Sequence, residues 1–156
     1  MKIALLTLSL GAALLAGVGA QGRERALAGV YDAYQARTDY QLKCQGCHRP
    51  DGGGDDHSNP PMRHIVARFL GVPGGREFVG RVPGVATVDL DDRRLANLVN
   101  WTLYTFDPEH MPANFRPYTA DEIGRLRQHP LRLERAAMRA RLVEGFTKSR
   151  TEQGNP

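Results

Sequence analysis

The stretch Cys44-Gln45-Gly46-Cys47-His48 decides how the rest of the chain is organised. It contains both cysteines of the 156-residue sequence and one of its five histidines. Two thiols at this spacing lie about one helical turn apart, the separation needed to bond neighbouring vinyl groups of one porphyrin. The histidine that follows then lies beneath the iron. The spacing therefore predicts a covalently attached haem c with His48 as an axial ligand.

The two cysteines have other possible uses, which the surrounding sequence does not favour. In an oxidising compartment such a pair could form a local disulfide or a redox-active pair. A thioredoxin-like pair belongs in a βαβ unit, and no parallel strands are indicated here. A zinc site needs about four ligands, and His57 and His64 lack the spacing of a zinc finger. We therefore favour haem, with zinc and a disulfide as alternatives.

The first 20 residues are predicted to be a secretory signal peptide. Lys2 is followed by an apolar stretch at residues 3–18, and Val18-Gly19-Ala20 places small residues before a cleavage point. The apolar stretch is shorter than the roughly 20 residues that a membrane-spanning helix needs. The mature chain is therefore expected to begin at Gln21, to be soluble and to be exported to the periplasm.

Length and composition limit the classes of protein to which the chain can belong. Hydrophobic residues make up 41% of the chain and charged residues 24%, which is typical of a soluble globular domain. The net charge of +4 is mild for a nucleic-acid-binding protein, and no such motif is present. We expect a monomer in which residues 21–130 form the haem-bearing domain. Residues 131–156 are predicted to form a C-terminal basic helix and tail.

Apolar periodicity predicts an all-α fold with long loops rich in glycine and proline. Helices are predicted at residues 23–43, 62–70, about 91–106, from the capping box at 119 to before Pro130, and 131–146. Loops are predicted at residues 49–61, 71–75 and 107–118, and the two Val-Pro-Gly segments at 72–74 and 82–84 are interpreted as turns. The inward face of the first helix is predicted to comprise Leu27, Val30, Tyr31, Tyr34, Thr38 and Leu42.

Several features together match a known pattern. They are Tyr40 before the first cysteine, the Cys44–His48 motif, the Gly/Pro loop, the helix after Asp91, and His110-Met111-Pro112 before the capped helix at Thr119. From about Tyr40 to Arg127 the chain thus resembles the class I (monohaem) cytochrome c family. The resemblance implies a cytochrome c-like helical fold around one covalent haem. It also implies one-electron transfer between periplasmic partners, such as a dehydrogenase donor and an oxidase acceptor, and no enzymatic chemistry.

The resemblance implies further ligands around the iron. A proline carbonyl would hold the second ring nitrogen of His48, and Pro60 is the choice, with Pro61 as its rival. Met111 is the candidate second axial ligand, a neutral thioether that favours Fe(II). Its rivals are His110, Met62 and His64. An open second axial position would instead indicate a small-ligand-binding or peroxidase-like haem protein.

Other side chains have both structural and functional interpretations. Trp101, Tyr40 and Tyr104 are expected in the core or against the haem, where a polar tip could reach a propionate. An arginine-rich stretch could dock an acidic redox partner, or could simply be a solvated helix face. It comprises Arg125, Arg127, Arg132, Arg135, Arg139 and Arg141. His57 is expected to be exposed.

Overall fold

The computed structural model describes residues 27–55 and 58–152. The predicted signal peptide and His57 lie outside these residues. The described chain contains helices and no strands, which confirms the predicted all-α fold. The helices are α1 (Ala33–Lys43), α2 (Gln45–His48), the 3₁₀-helix η1 (Ala67–Gly71), α3 (Gly75–Arg81), α4 (Pro83–Ala86), α5 (Asp92–Phe106), the 3₁₀-helix η2 (Pro108–His110), α6 (Ala120–Arg127) and α7 (Arg135–Glu152).

Helix α1 begins ten residues later than the sequence predicted. Asp32 is its N-cap, and its side chain accepts a hydrogen bond from the Gln35 amide at 2.8 Å. The side-chain oxygen of Asn97, which is buried in α5, accepts from the Tyr31 amide at 3.0 Å. Gly29 has a φ of +78°, which an α-helix does not allow. The segment before Asp32 therefore docks on α5 and cannot continue the helix.

The predicted inward face of α1 is also wrong. Tyr34 is 84% exposed and Leu42 is 73% exposed, whereas Ala36, Asp39 and Tyr40 are buried. The buried carboxylate of Asp39 is paired with Arg94, with Nη2 and Oδ1 2.5 Å apart. A buried charge persists only when it is paired in this way. Because Asp39 is polar, apolar periodicity could not mark this face as the one that packs.

Aromatic rings join α1 to α5. The ring of Tyr40 lies 5.6 Å from Trp101 and 4.9 Å from Phe106, measured between centroids. These positions confirm the expectation that Tyr40 and Trp101 belong to the core, while Tyr104 lies against Phe115 instead. Helix α5 begins as predicted, because the Asp91 side chain accepts from the Arg94 amide at 2.9 Å. The end of α1, and with it the Cys44–His48 motif, is thereby fixed to the core.

Helix α6 also begins where its capping residue predicted. The hydroxyl of Thr119 accepts from the Glu122 amide at 3.2 Å. The Glu122 carboxylate pairs with Arg76 at 2.6 Å, so this side chain serves α3 as well as the helix start. At the far end of α6, the guanidinium of Arg127 donates to the carbonyls of Ala86, Val88 and Leu90, and to Asp92. Arg127 is thus a structural residue, not part of a docking surface.

Residues 62–70 are less helical than predicted, whereas residues 72–90 are more helical. Residues 63–66 form turns, and only Ala67–Gly71 is a 3₁₀-helix. The first Val-Pro-Gly segment is a turn, with Gly74 at a φ of +81° before α3. The second begins α4, because Pro83 occupies the first helical turn, where its missing N–H costs nothing.

Helix α7 begins at Arg135, and not at residue 131. Leu131 is buried and its amide donates to the Arg81 carbonyl at 2.8 Å, whereas Leu133 is 99% exposed, against expectation. Further along, Phe146 lies 5.0 Å from Phe69 of η1. Residues 131–146 therefore share the core of the preceding helices, and the division of domains at residue 130 stays a prediction. The helix continues to Glu152, beyond residue 146, where it was predicted to end.

Candidate haem-binding cavity

A cavity of about 690 Å³ lies between α1, α2, η1, α3, α4, α5 and α7. Many of the side chains that line it are apolar, among them Phe78, Val79, Leu98 and Leu103. Pockets that hold cofactors typically measure about 300–1,000 Å³. The cavity is therefore large and apolar enough to receive one cofactor molecule.

The Cys44–His48 turn forms one wall of this cavity. Helix α1 ends at Cys44, whose carbonyl accepts from the amides of Cys47 at 3.1 Å and His48 at 2.9 Å. This single turn places both thiols and the imidazole along the same cavity. Both cysteines are free thiols, and burial, with smaller effects from Asp39 and Cys47, raises the pKa of Cys44 to about 11. The thiol of Cys44 is consequently protonated at neutral pH.

The imidazole of His48 is held in its neutral form. Burial lowers the pKa of His48, while the Pro60 carbonyl and Asp55 act in the opposite direction. Its Nδ1 is buried and has no partner that meets hydrogen-bond geometry, although the Pro60 carbonyl is the backbone acceptor close enough to affect it. A neutral ring with Nδ1 beside a carbonyl leaves Nε2 as the nitrogen available to a metal.

The loop after the motif positions Pro60 through contacts that the sequence did not reveal. The hydroxyl of Tyr40 donates to the Arg49 carbonyl at 2.5 Å, where the chain turns away from α2. Gly54 has a φ of +63°, and a side chain there would meet the Asn59 carbonyl at 2.1 Å. Asp55 closes the loop by accepting from the Ser58 and Asn59 amides at 2.7 and 3.1 Å. These contacts therefore hold Pro60 beside His48.

The structure does not bring Met111 or His110 to the cavity. His110 Nδ1 lies 2.5 Å from Oδ1 of Asp107, which is completely buried. The other carboxylate oxygen of Asp107 accepts from the Ala67 amide at 2.8 Å. Met111 packs at the edge of the core next to this pair and is not a lining residue. Met111 as the second axial ligand therefore stays a prediction.

Of the other two candidate axial ligands, Met62 lies at the cavity and His64 lies on the surface. Met62 lines the cavity, together with Pro60 and Pro61. The side chain of His64 is 61% exposed, and its Nδ1 lies 3.6 Å from Glu109. His64 is therefore not a candidate ligand, and Met62 is the one described methionine at the cavity. Within residues 27–55 and 58–152, no cluster of three or more His, Cys, Asp or Glu side chains could hold a metal ion.

The chain is similar to cytochrome c-552. One such protein, from Thermus thermophilus, is 28% identical over 107 residues, which cover 57% of this chain and 82% of the relative. A second cytochrome c-552, from a particular strain of Thermus thermophilus, is also 28% identical over 107 residues, covering 57% of this chain and 72% of that relative. No protein-family model matches, and no solved structure matches significantly. The similarity is distant and relates the chain to c-type cytochromes.

Arg139 of α7 is a site residue that the sequence suggested only as part of a basic stretch. It lines the cavity together with Arg135, and it is half-buried. Burial lowers the pKa of Arg139, and within the described residues it makes no ion pair. Arg132 and Arg141 are exposed instead. The helical spacing of Arg135 and Arg139 places both on one face of α7, and this could have indicated a shared role.

No helix within residues 27–55 and 58–152 is long and apolar enough to cross a membrane.

Proposed function

We propose that this protein is a c-type cytochrome that carries one haem covalently on Cys44 and Cys47 and transfers single electrons. The observation that carries the proposal is the position of the Cys44–His48 turn along an apolar cavity of about 690 Å³. The buried, unpaired Nδ1 of His48 beside the Pro60 carbonyl fits an imidazole prepared to bind iron. The similarity to cytochrome c-552 supports the same class of function.

Each residue of the site has a part in holding the cofactor. The thiols of Cys44 and Cys47 would form the two thioether bonds, and Nε2 of His48 would bind the iron. The Pro60 carbonyl would accept the Nδ1–H of His48, which fixes the ring tautomer. When bound, haem supplies an iron that gains and loses one electron. The apolar lining excludes water, so little has to rearrange when the charge changes.

In this proposal the guanidinium of Arg139 would pair with a carboxylate of the haem. Haem carries two propionate carboxylates, and a half-buried arginine without an ion pair at the cavity would be neutralised by one of them. Arg135 and Arg141 of the same helix, and Arg132 just before it, are exposed and carry positive charge. This basic surface is proposed to steer an acidic redox partner, such as a dehydrogenase donor or an oxidase acceptor, by a salt-sensitive attraction.

The cellular setting follows from the sequence. The predicted signal peptide at residues 1–20 would deliver the chain to the periplasm, where we expect it to act as a monomer. Its role is that of a carrier and not of an enzyme. Met111 is left out of the proposed ligand set, because it is not among the residues that line the cavity.

The proposal is tested on full-length protein expressed together with cytochrome-maturation machinery. A pyridine haemochrome assay on the denatured protein is expected to show one covalent haem per chain. A double variant, Cys44→Ala with Cys47→Ala, is expected to lose it. Redox titration of the intact protein is expected to show a single reversible one-electron step. A chain that reaches the periplasm without covalent haem would contradict the proposed function.

A further inference from the structure

The cavity wall formed by α3, α4 and the residues that follow α4, called here the hydrocarbon wall, has only hydrocarbon side chains. The residues that line the cavity from this wall, apart from Phe78, are Val79, Val82, Pro83, Gly84, Val85 and Val88. None of them carries a nitrogen, oxygen or sulfur atom in its side chain. Helix α2, which carries Cys47 and His48, packs on α1 and makes no extensive contact with α3 or α4. The hydrocarbon wall therefore stands on the side of the cavity away from His48.

The one described methionine at the cavity belongs to the His48 side. The amide of Met62 donates to the Gly52 carbonyl at 2.8 Å, in the loop that follows the Cys44–His48 motif. Met62 also lies two residues after Pro60, whose carbonyl acts on His48. The two axial ligands of an iron lie on opposite faces of the porphyrin. The backbone of Met62 is held on the His48 side, away from the hydrocarbon wall.

Met111 is not among the residues that line the cavity. Its loop is tied to η1 through Asp107 and the Ala67 amide, and the Phe106 carbonyl accepts from the His64 amide at 2.9 Å. These bonds hold residues 106–111 against segment 62–67.

From this arrangement we infer that the iron held by His48 keeps an open axial position, which binds a small neutral ligand such as carbon monoxide or nitric oxide. This inference rests on the covalent haem of the proposed function. No side chain of this wall carries a hydrogen-bond donor, so none can stabilise the polar Fe–O₂ unit or assist peroxide cleavage. The wall likewise has no side chain that would replace the hydration of an anion. Neutral diatomic molecules are the class that remains.

Gly84 allows the inference to be tested without disturbing the packing. A side chain at Gly84 would meet no atom within 4 Å, and Gly84 lines the cavity. Gly71 is equally open but does not line the cavity, so it provides a matched control. Gly84→Met would supply a thioether on the hydrocarbon wall, Gly84→Leu would supply bulk without sulfur, and Gly71→Met would place the same thioether elsewhere.

The experiment uses full-length, haem-loaded protein. The ferric form is expected to be high-spin by electron paramagnetic resonance, and the ferrous form is expected to bind one carbon monoxide per haem. Gly84→Met is expected to become low-spin, to gain the near-infrared band of a Met–Fe bond and to lose carbon monoxide binding. Gly84→Leu should stay high-spin, and Gly71→Met and Met111→Leu should behave as the parent protein does.

Three results would overturn the inference. The first is a low-spin parent protein that binds no carbon monoxide, with Met111→Leu or Met62→Leu turning it high-spin. The second is a low-spin parent protein that neither methionine variant changes. The third is a Gly84→Met protein with unchanged spin state and carbon monoxide affinity, since the hydrocarbon wall would then not face the iron. Each of these results leaves the covalent haem in place, whereas a chain without covalent haem contradicts the proposed function itself.

Discussion

Nδ1 of His110 lies 2.5 Å from Oδ1 of Asp107, a carboxylate with no exposed surface. The same carboxylate accepts from the Ala67 amide, 40 positions earlier in the chain. This pair determines where the His110-Met111-Pro112 segment lies. A segment that resembles a ligand loop in sequence is thereby fixed beside the core, away from the cavity.

Replacing Asp107 is expected to destabilise the fold. Asp107→Ala leaves the buried Ala67 amide without an acceptor, and an unsatisfied buried group costs about 1–3 kcal/mol. Chemical denaturation followed by circular dichroism would measure the loss in the free energy of unfolding. Glu109→Gln is the control, because Glu109 is an exposed neighbour in the same turn. A loss of equal size in both variants would contradict the role assigned to Asp107.

Asn100 is expected to be similarly important for the packing of the chain before α1. Its amide nitrogen donates to the carbonyls of Gly29 at 3.1 Å and Tyr118 at 3.0 Å, and its oxygen accepts from the Tyr118 amide at 2.9 Å. Asn100→Ala should lower the free energy of unfolding by about 1–3 kcal/mol, because these buried groups lose their partner. The exposed Asn114→Ala should change it by less than about 0.5 kcal/mol. Thermal unfolding of the two variants side by side would show whether they differ as expected.

Gly29 is expected to tolerate no side chain. A Cβ there would lie 2.3 Å from that of Pro117, and the φ of +78° adds strain of roughly 1–2 kcal/mol for any other residue. Gly29→Ala should therefore lower the midpoint of thermal unfolding, because the segment must move away from α5. Gly71→Ala, which meets no neighbour, should lower it far less. If the two glycine variants melted together, the close approach at Gly29 would not be present in solution.

The stability of the fold is expected to fall at alkaline pH in part through Tyr118. Burial raises the pKa of Tyr118 well above its usual value, with smaller effects from Glu122 and Glu77, and Arg76 opposes the shift. Because the neutral form is favoured in the fold, its contribution is complete below about pH 10 and is lost as the pH rises toward the higher folded pKa.

Comparison of variants isolates this contribution. Tyr118→Phe should lower stability at neutral pH, since it loses the hydrogen bond to the Arg76 carbonyl. Its stability should then decline less steeply above about pH 10 than that of the parent protein. Tyr31→Phe, at a half-exposed ring, should keep the parent slope. Urea denaturation at several alkaline pH values would measure the slopes, and identical slopes for all three proteins would rule Tyr118 out as the cause.

Arg139 is expected to raise the reduction potential of the bound haem. A positive charge near the cavity opposes the extra positive charge of Fe(III), so Arg139→Gln should lower the potential measured by spectroelectrochemical titration. Arg139→Lys should restore part of the difference, because the charge returns without the planar fork. Arg141→Gln, at an exposed position of the same helix, is the control. Equal shifts for Arg139→Gln and Arg141→Gln would indicate a general charge effect and no specific contact.

The parts of the structure that the sequence predicted depend on local chemistry. The starts of α5 and α6 follow from Asp91 and Thr119, whose side chains bond amides three residues away. The Cys44–His48 turn is likewise contained in one turn of chain. By contrast, α1 begins where it does because Asn97 binds the Tyr31 amide, 66 positions distant. No periodicity in residues 23–43 carries that information.

The same distinction applies to the candidate site. The spacing of Cys44, Cys47 and His48 predicts their roles, and Pro60 lies beside His48, so these roles stay predictions. The sequence could not reveal that Met111 is not a lining residue of the cavity, because its location depends on a tertiary contact between Asp107 and Ala67. The cavity-facing position of Arg139 was hidden for a related reason, since it depends on how α7 lies across η1.

The guanidinium of Arg127 ties α6 to residues 86–90, a segment that includes Val88 of the hydrocarbon wall. One side chain of α6 donates to the carbonyl of Ala86, the last residue of α4, and to those of Val88 and Leu90, which lie outside the helices. Opening of this segment must therefore break several bonds at once. Residues 86–90 and α6 should open and close as one cooperative unit, with amide protons that exchange at a common rate. The rate at which α6 detaches would then limit the rate of access to the cavity from this side.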